Sequence, residues 1–236
     1  MMGKNVKAIW EIRKKEFFLY LSMTAIMWIF GNLISGAMKA GTQLPEVLPF
    51  ATMLSVFGGV IMCVIGFGTD VFYGYDFFLR FCHTRKEFFI SSGVVSFFQS
   101  LAMVILLRIF LELEMLISHS LFDGPGATRQ LEAAVKLFSR YVSLPWMPVY
   151  ALLITGLSCA GGAFVHRFRT RGPWFLVFMW FLLAIALPKA MQTSWFHYGV
   201  GKILQTAMPL QLLTGLIVGG ALYLAGILGL RKARVN

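Results

Sequence analysis

The 236-residue chain is 58% hydrophobic and 13% charged, with a mean hydropathy of +0.75. Soluble domains run to about 45–50% apolar and about 25% charged, so this balance excludes an ordinary soluble domain and points to lipid as the solvent. The formal charge of +11 does not mark a nucleic-acid partner, because Lys and Arg come in short bursts between apolar runs and form no single groove or stripe.

Residues 1–16 read as an amphipathic helix lying on the membrane surface. Lys4, Lys7, Glu11, Lys14 and Lys15 share one stripe at helical spacing, and Val6, Ile9, Trp10 and Phe17 fall opposite. A basic face backed by an aromatic suits the headgroup interface, which assigns Lys7, Trp10, Arg13, Lys14 and Lys15 to contact with membrane lipids.

Six apolar stretches follow, at about 17–37, 48–68, 88–110, 147–166, 173–192 and 208–230. Each is near the ~20 residues a membrane helix needs. Helices are expected over strands, because a chain in hydrocarbon must satisfy its backbone groups internally. The fold class is therefore an all-α integral membrane protein of six transmembrane helices behind an interfacial N-terminal helix, forming a single domain. The first apolar stretch exceeds a signal-peptide core and is expected to be retained.

Between the second and third stretches lies an aromatic and basic segment, 69–87. Thr84 and Glu87 have the spacing of a capping box, which starts a helix at Arg85. Residues 70–81 are too polar to continue span two alone and too aromatic for a solvated loop. They predict a short helix along the membrane with Arg80, His83 and Arg85 near its end.

Further on, Asp123-Gly-Pro-Gly126 breaks the chain. Leu131, Ala134, Val135, Phe138 and Val142 then form an apolar stripe, which predicts an external helix over about 129–142. Gly156, Ser158, Ala160 and Gly162 in span four and Gly215 and Gly219 in span six have the small side chains that let membrane helices approach closely. Pro188, Trp195, His197 and Tyr198 crowd the connection before span six.

Basic residues fix the orientation. Lys4, Lys7, Arg13, Lys14 and Lys15, then Arg80, Arg85 and Lys86, then Arg167, Arg169 and Arg171, then Arg231, Lys232 and Arg234 fall on one side of the alternating spans. These are fourteen of the 21, so the positive-inside rule places both termini and the two basic loops in the cytoplasm of a cell-membrane protein.

No enzyme is read here. Ser158 lacks a G-x-S-x-G setting and a histidine within reach, no H-E-x-x-H occurs, and Gly199-Val-Gly-Lys202 has Phe196 where a P-loop needs glycine. Cys63, Cys82 and Cys159 have neither metal-site nor disulfide spacing. As ionisable residues that would flag an ion path, only Arg108, Glu112 and Glu114 come close, near the outer end of span three. Arg108 and Glu112 are spaced to pair locally, so the buried charges of a proton- or ion-coupled carrier are not expected.

The layout resembles the permease subunits of ABC-2-type exporters. Arg80-Phe-Cys-His-Thr-Arg-Lys-Glu-Phe-Phe89 is similar to the segment small bacterial permeases carry before their third span, where a motif ending in Ser/Thr-Arg-Lys precedes aromatics. It departs at Cys82-His83, where smaller residues are usual. The resemblance implies a coupling helix in the first cytoplasmic loop that docks on a separate ATP-binding subunit, which holds ATP and Mg. It also implies a second permease, identical or different, that completes the pathway. On this chain the coupling role falls on Asp76, Arg80, Phe81, His83, Thr84, Arg85, Lys86 and Glu87. Two other readings stay open: a ligand-capture subunit of a vitamin importer, to which the basic loop is ill suited, and a membrane scaffold or immunity protein.

Overall fold

Long apolar runs free of internal proline make long helices. A computed structural model of the chain describes residues 2–41, 50–80, 84–121, 139, 143–168, 171–172, 174, 178, 182, 193 and 207–231, among which no strand occurs. The main elements are α1 (Met2–Gly41), α2 (Phe50–Arg80), α3 (Arg85–Leu121), a 3-10 turn (Leu144–Trp146), α4 (Met147–Phe168) and α5 (Met208–Arg231). Pro148 and Pro209 stand in the first turns of α4 and α5, where a missing N–H breaks no helical bond.

Each of the five helices contains a stretch long and apolar enough to cross a membrane. Their outward faces are apolar: Phe18, Phe30, Leu33, Phe57, Phe98 and Ile217 are all at least 59% exposed. The interior, in contrast, buries Thr24, Ser55, Ser91, Ser92, Ser96, Gln99, Ser100, Thr155 and Ser158. Water would reward the reverse arrangement. Lipid tolerates apolar residues outside and leaves small hydroxyls to fill helix contacts.

Two segments depart from the reading of the sequence. Residues 2–16 are the first four turns of α1, and no break separates them from the first apolar run. Ile9 and Phe17 are buried against the bundle, so the apolar face of this segment meets protein where membrane was expected. Likewise residues 69–80 continue α2 where a separate surface helix was expected. Tyr75 explains the continuation. Its ring meets Phe88, Phe89 and His166, and its hydroxyl donates to the Leu230 carbonyl at 3.2 Å, so this polar stretch has its own core.

Contacts along the helices set their directions. Gly31 faces Ala51, Gly59 faces Thr24 and Gly66 faces Tyr20, so α1 and α2 are antiparallel. Val149 faces Gly215, Gly156 faces Gly219, Cys159 faces Gly226 and Ala163 faces Gly229, so α4 and α5 are parallel. A Cβ placed on Gly156 would stand 2.5 Å from the Gly219 carbonyl oxygen, so this approach needs glycine. The Gly215/Gly219 pair of the sequence lies in this contact. Of the expected span 173–192, only Trp174, Phe178 and Leu182 are described, all helical, exposed and spaced by four. Of the expected helix 129–142, only Ser139 is described, and it is helical.

Candidate functional site at the basic end of the bundle

The ends of α2, α3, α4 and α5 converge on Tyr75, at the end of the bundle that carries the basic segment. There the chain turns from α2 to α3, and the capping box forms as spaced. Thr84 Oγ1 accepts the Glu87 N–H at 3.2 Å, and the Glu87 carboxylate accepts the Thr84 N–H at 3.3 Å. Both satisfy donors that the first turn of α3 leaves open. Thr84, Arg85 and Lys86 are exposed and Glu87 is half-buried. Asp76 and Arg80 are helical in backbone, while their side chains, and Phe81 and His83 altogether, lie outside the described residues.

Beneath this turn sits a charged cluster that the sequence reading missed. Arg13 is 4% exposed, with Nε 3.0 Å from Asp70 Oδ2 on α2. Its two terminal nitrogens donate to Ser96 Oγ at 2.9 Å and Ser92 Oγ at 3.0 Å on α3. The planar fork of the guanidinium serves three acceptors on two helices from three separate nitrogens, whereas a lysine would have to reach all three from one. Arg13 therefore leaves the lipid-facing group to which it was assigned. Of the others, Lys7 and Lys15 are exposed, Lys14 pairs with Glu11, and Trp10 is half-buried with its ring 6.1 Å from Phe17. A signal existed: Ile9, Arg13 and Phe17 are spaced by four, so the arginine stands on the apolar stripe.

Polar character continues along α3 through Gln99 and Ser100, the latter 3.4 Å from Thr155 on α4. Between α2, α3, α4 and α5 a cavity of about 10 Å³ is lined by Phe67, Ser92, Ser96, Thr155, Ser158 and Tyr223 among others. That is room for about one water and far too little for a drug-sized ligand. Past this level an apolar cluster of Cys63, Phe67, Met103, Val104, Leu107, Phe110 and Ile154 packs, with Thr24 buried beside Met103.

At the far end, Glu114 is a second buried charge. Its carboxylate accepts the Ala51 N–H at 3.0 Å and the Thr52 N–H at 2.7 Å, capping α2 from α3. A carboxylate there meets both the open donors and the positive end of the helix dipole. Arg108 and Glu112 pair as their spacing indicated. The helices thus bury Arg13 and, in part, Asp70, which lie just outside the expected spans 17–37 and 48–68, and bury Glu114, past the outer end of the third.

Among the described residues the regular elements are helical, with apolar outward faces and small polar side chains among the buried ones, and five helices are long and apolar enough to cross a bilayer, which defines a protein of the multi-pass membrane class. No protein-family model, curated protein or solved structure matches the chain.

Proposed function

We propose that the chain is the membrane subunit of an ATP-driven transporter, probed from the cytoplasm by a separate ATP-binding subunit that carries ATP and Mg. One observation supports this above the rest: residues 69–75, the arm of α2 next to the basic turn, are gripped by the described helices. Asp70 is held by α1, and Tyr75 by α3, α4 and α5, while Thr84, Arg85 and Lys86 stand exposed beside it. A load applied at the exposed turn reaches every described helix through packed side chains. A solvated loop would have no need of such attachment.

Two further features fit the reading. Parallel α4 and α5 fit a further crossing between them, for which the apolar stretch 173–192 has the length. Six crossings put both termini on the basic, cytoplasmic side. In addition, an apolar cluster with Met103, Leu107 and Phe110 fills the middle of the described part of one subunit, and the cavity beside it is far too small for a ligand. A pathway shared with a second permease copy, or with a different permease, answers that.

Purification from native membranes in mild detergent tests the proposal. A Walker-motif ATPase is expected with the wild-type chain and should be lost when Arg80, Arg85 and Lys86 are replaced by Glu. Repeated recovery of folded chain without any ATPase would overturn it and favour an importer capture subunit or a scaffold.

A further inference from the structure

Arg13 is the one buried cation among the described residues, its partners come from two other helices, and the hold of α1 on Asp70 runs through it. The arginine joins a segment of α1 that the sequence marks as a surface anchor to the root of the α2 arm. Asp70 lies one and a half turns before Tyr75, and Ser92 and Ser96 lie on α3 just past Phe88 and Phe89, which pack on Tyr75. Residues 5–16 thus have two possible attachments, lipid or arm. Ile9, Arg13 and Phe17 all turn to the protein.

We propose that Arg13 is a positioning residue that couples residues 5–16 to the α2 arm, so that the N-terminal turns and the segment 69–80 move as one body. This rests on the transporter reading for its purpose, though not for its geometry. A surface anchor would float with the lipid when the arm moves. A clamped one carries the arm's motion into α1 and along its whole length.

The alternative role for Arg13, simple stabilisation of the fold, is separable by removing both charges. Asp70→Asn leaves a buried guanidinium without its counter-charge, whereas Arg13→Gln with Asp70→Asn removes both charges of the pair and should fold as wild type does. Spin labels at Lys7 and Tyr73, both exposed, report the joint, and labels at Leu33 and Phe57 report a part of α1 and α2 remote from it. The labels are placed in a Cys82→Ser background, with Cys63 and Cys159 buried.

In the intact chain the 7-to-73 distance distribution is expected to be narrow. In the double variant it should broaden at least about twofold while the 33-to-57 distribution and the melting temperature stay at wild-type values. Where the ATPase co-purifies, the double variant should retain it, with hydrolysis no longer different from that of the ATPase alone. An unbroadened 7-to-73 distribution in the folded double variant would overturn the joint. If no ATPase accompanies the wild type, the transporter reading fails by itself and the distance measurement still decides whether Arg13 couples the two segments.

Discussion

Arg13 Nε stands 3.0 Å from Asp70 Oδ2, and this pair sets the N-terminal helix against the second helix with the arginine 4% exposed and the aspartate 19%. Both desolvation and the loss of a partner weigh heavily at such a site. Breaking a buried pair from one side costs about 3–5 kcal/mol, while removing both charges is often neutral. Asp70→Asn alone is therefore expected to lower the melting temperature in detergent more than Arg13→Gln combined with Asp70→Asn. Equal or additive losses in a thermal-shift series would show that the two side chains act independently.

Glu114 caps α2 across the bundle through the Ala51 and Thr52 amides. Glu114→Ala strands two buried donors and should destabilise by about 1–3 kcal/mol, whereas Glu114→Gln keeps one acceptor oxygen and should lose less. Amide hydrogen exchange at residues 51 and 52 is the direct check, because the loss of the cap frees those two protons first.

The α4–α5 contact separates glycines by what their missing side chains leave room for. A Cβ at Gly156 would meet the Gly219 carbonyl at 2.5 Å, and one at Gly226 would lie 2.6 Å from Cys159 Sγ and 2.8 Å from its carbonyl carbon. At Gly161 and Gly220 nothing lies within 4 Å. Gly156→Ala and Gly226→Ala are expected to cost about 1–3 kcal/mol by forcing the helices apart. Gly161→Ala and Gly220→Ala should be neutral or stabilising by up to about 1 kcal/mol, since alanine is the better helix former. Thermal stability of the four single variants in one detergent checks the division.

Orientation is open to direct chemistry. In a Cys82→Ser background, a membrane-impermeant maleimide added to intact cells should label Leu144→Cys, which is exposed, and should reach Arg85→Cys only after permeabilisation. Labelling in the opposite sense would reverse the positive-inside assignment and move the basic arm away from any cytoplasmic ATPase.

Much of the helical layout was legible because a helix in lipid is a local object. Apolar length gave the segments at 147–166 and 208–230, found as Met147–Phe168 and Met208–Arg231. The Thr84/Glu87 box and the Arg108/Glu112 pair were also legible, since each joins residues within one turn. The charged cluster was not. Arg13 was read as one more basic residue of a surface helix, and Asp70 as part of a loop, because their relation spans two helices.

By itself, then, the sequence determined that the chain is an all-helical protein with several helices apolar enough to cross a membrane, a property of composition and spacing along one axis. Tertiary structure alone decided that residues 2–16 and 69–80 belong to the bundle, that α4 and α5 run parallel, and which charges are buried. The physical reason is that a charge or a polar turn goes inside only when partners from other helices meet it there. No single helix carries that information: Ser92 and Ser96 look like ordinary small residues until Arg13 is placed between them and Asp70.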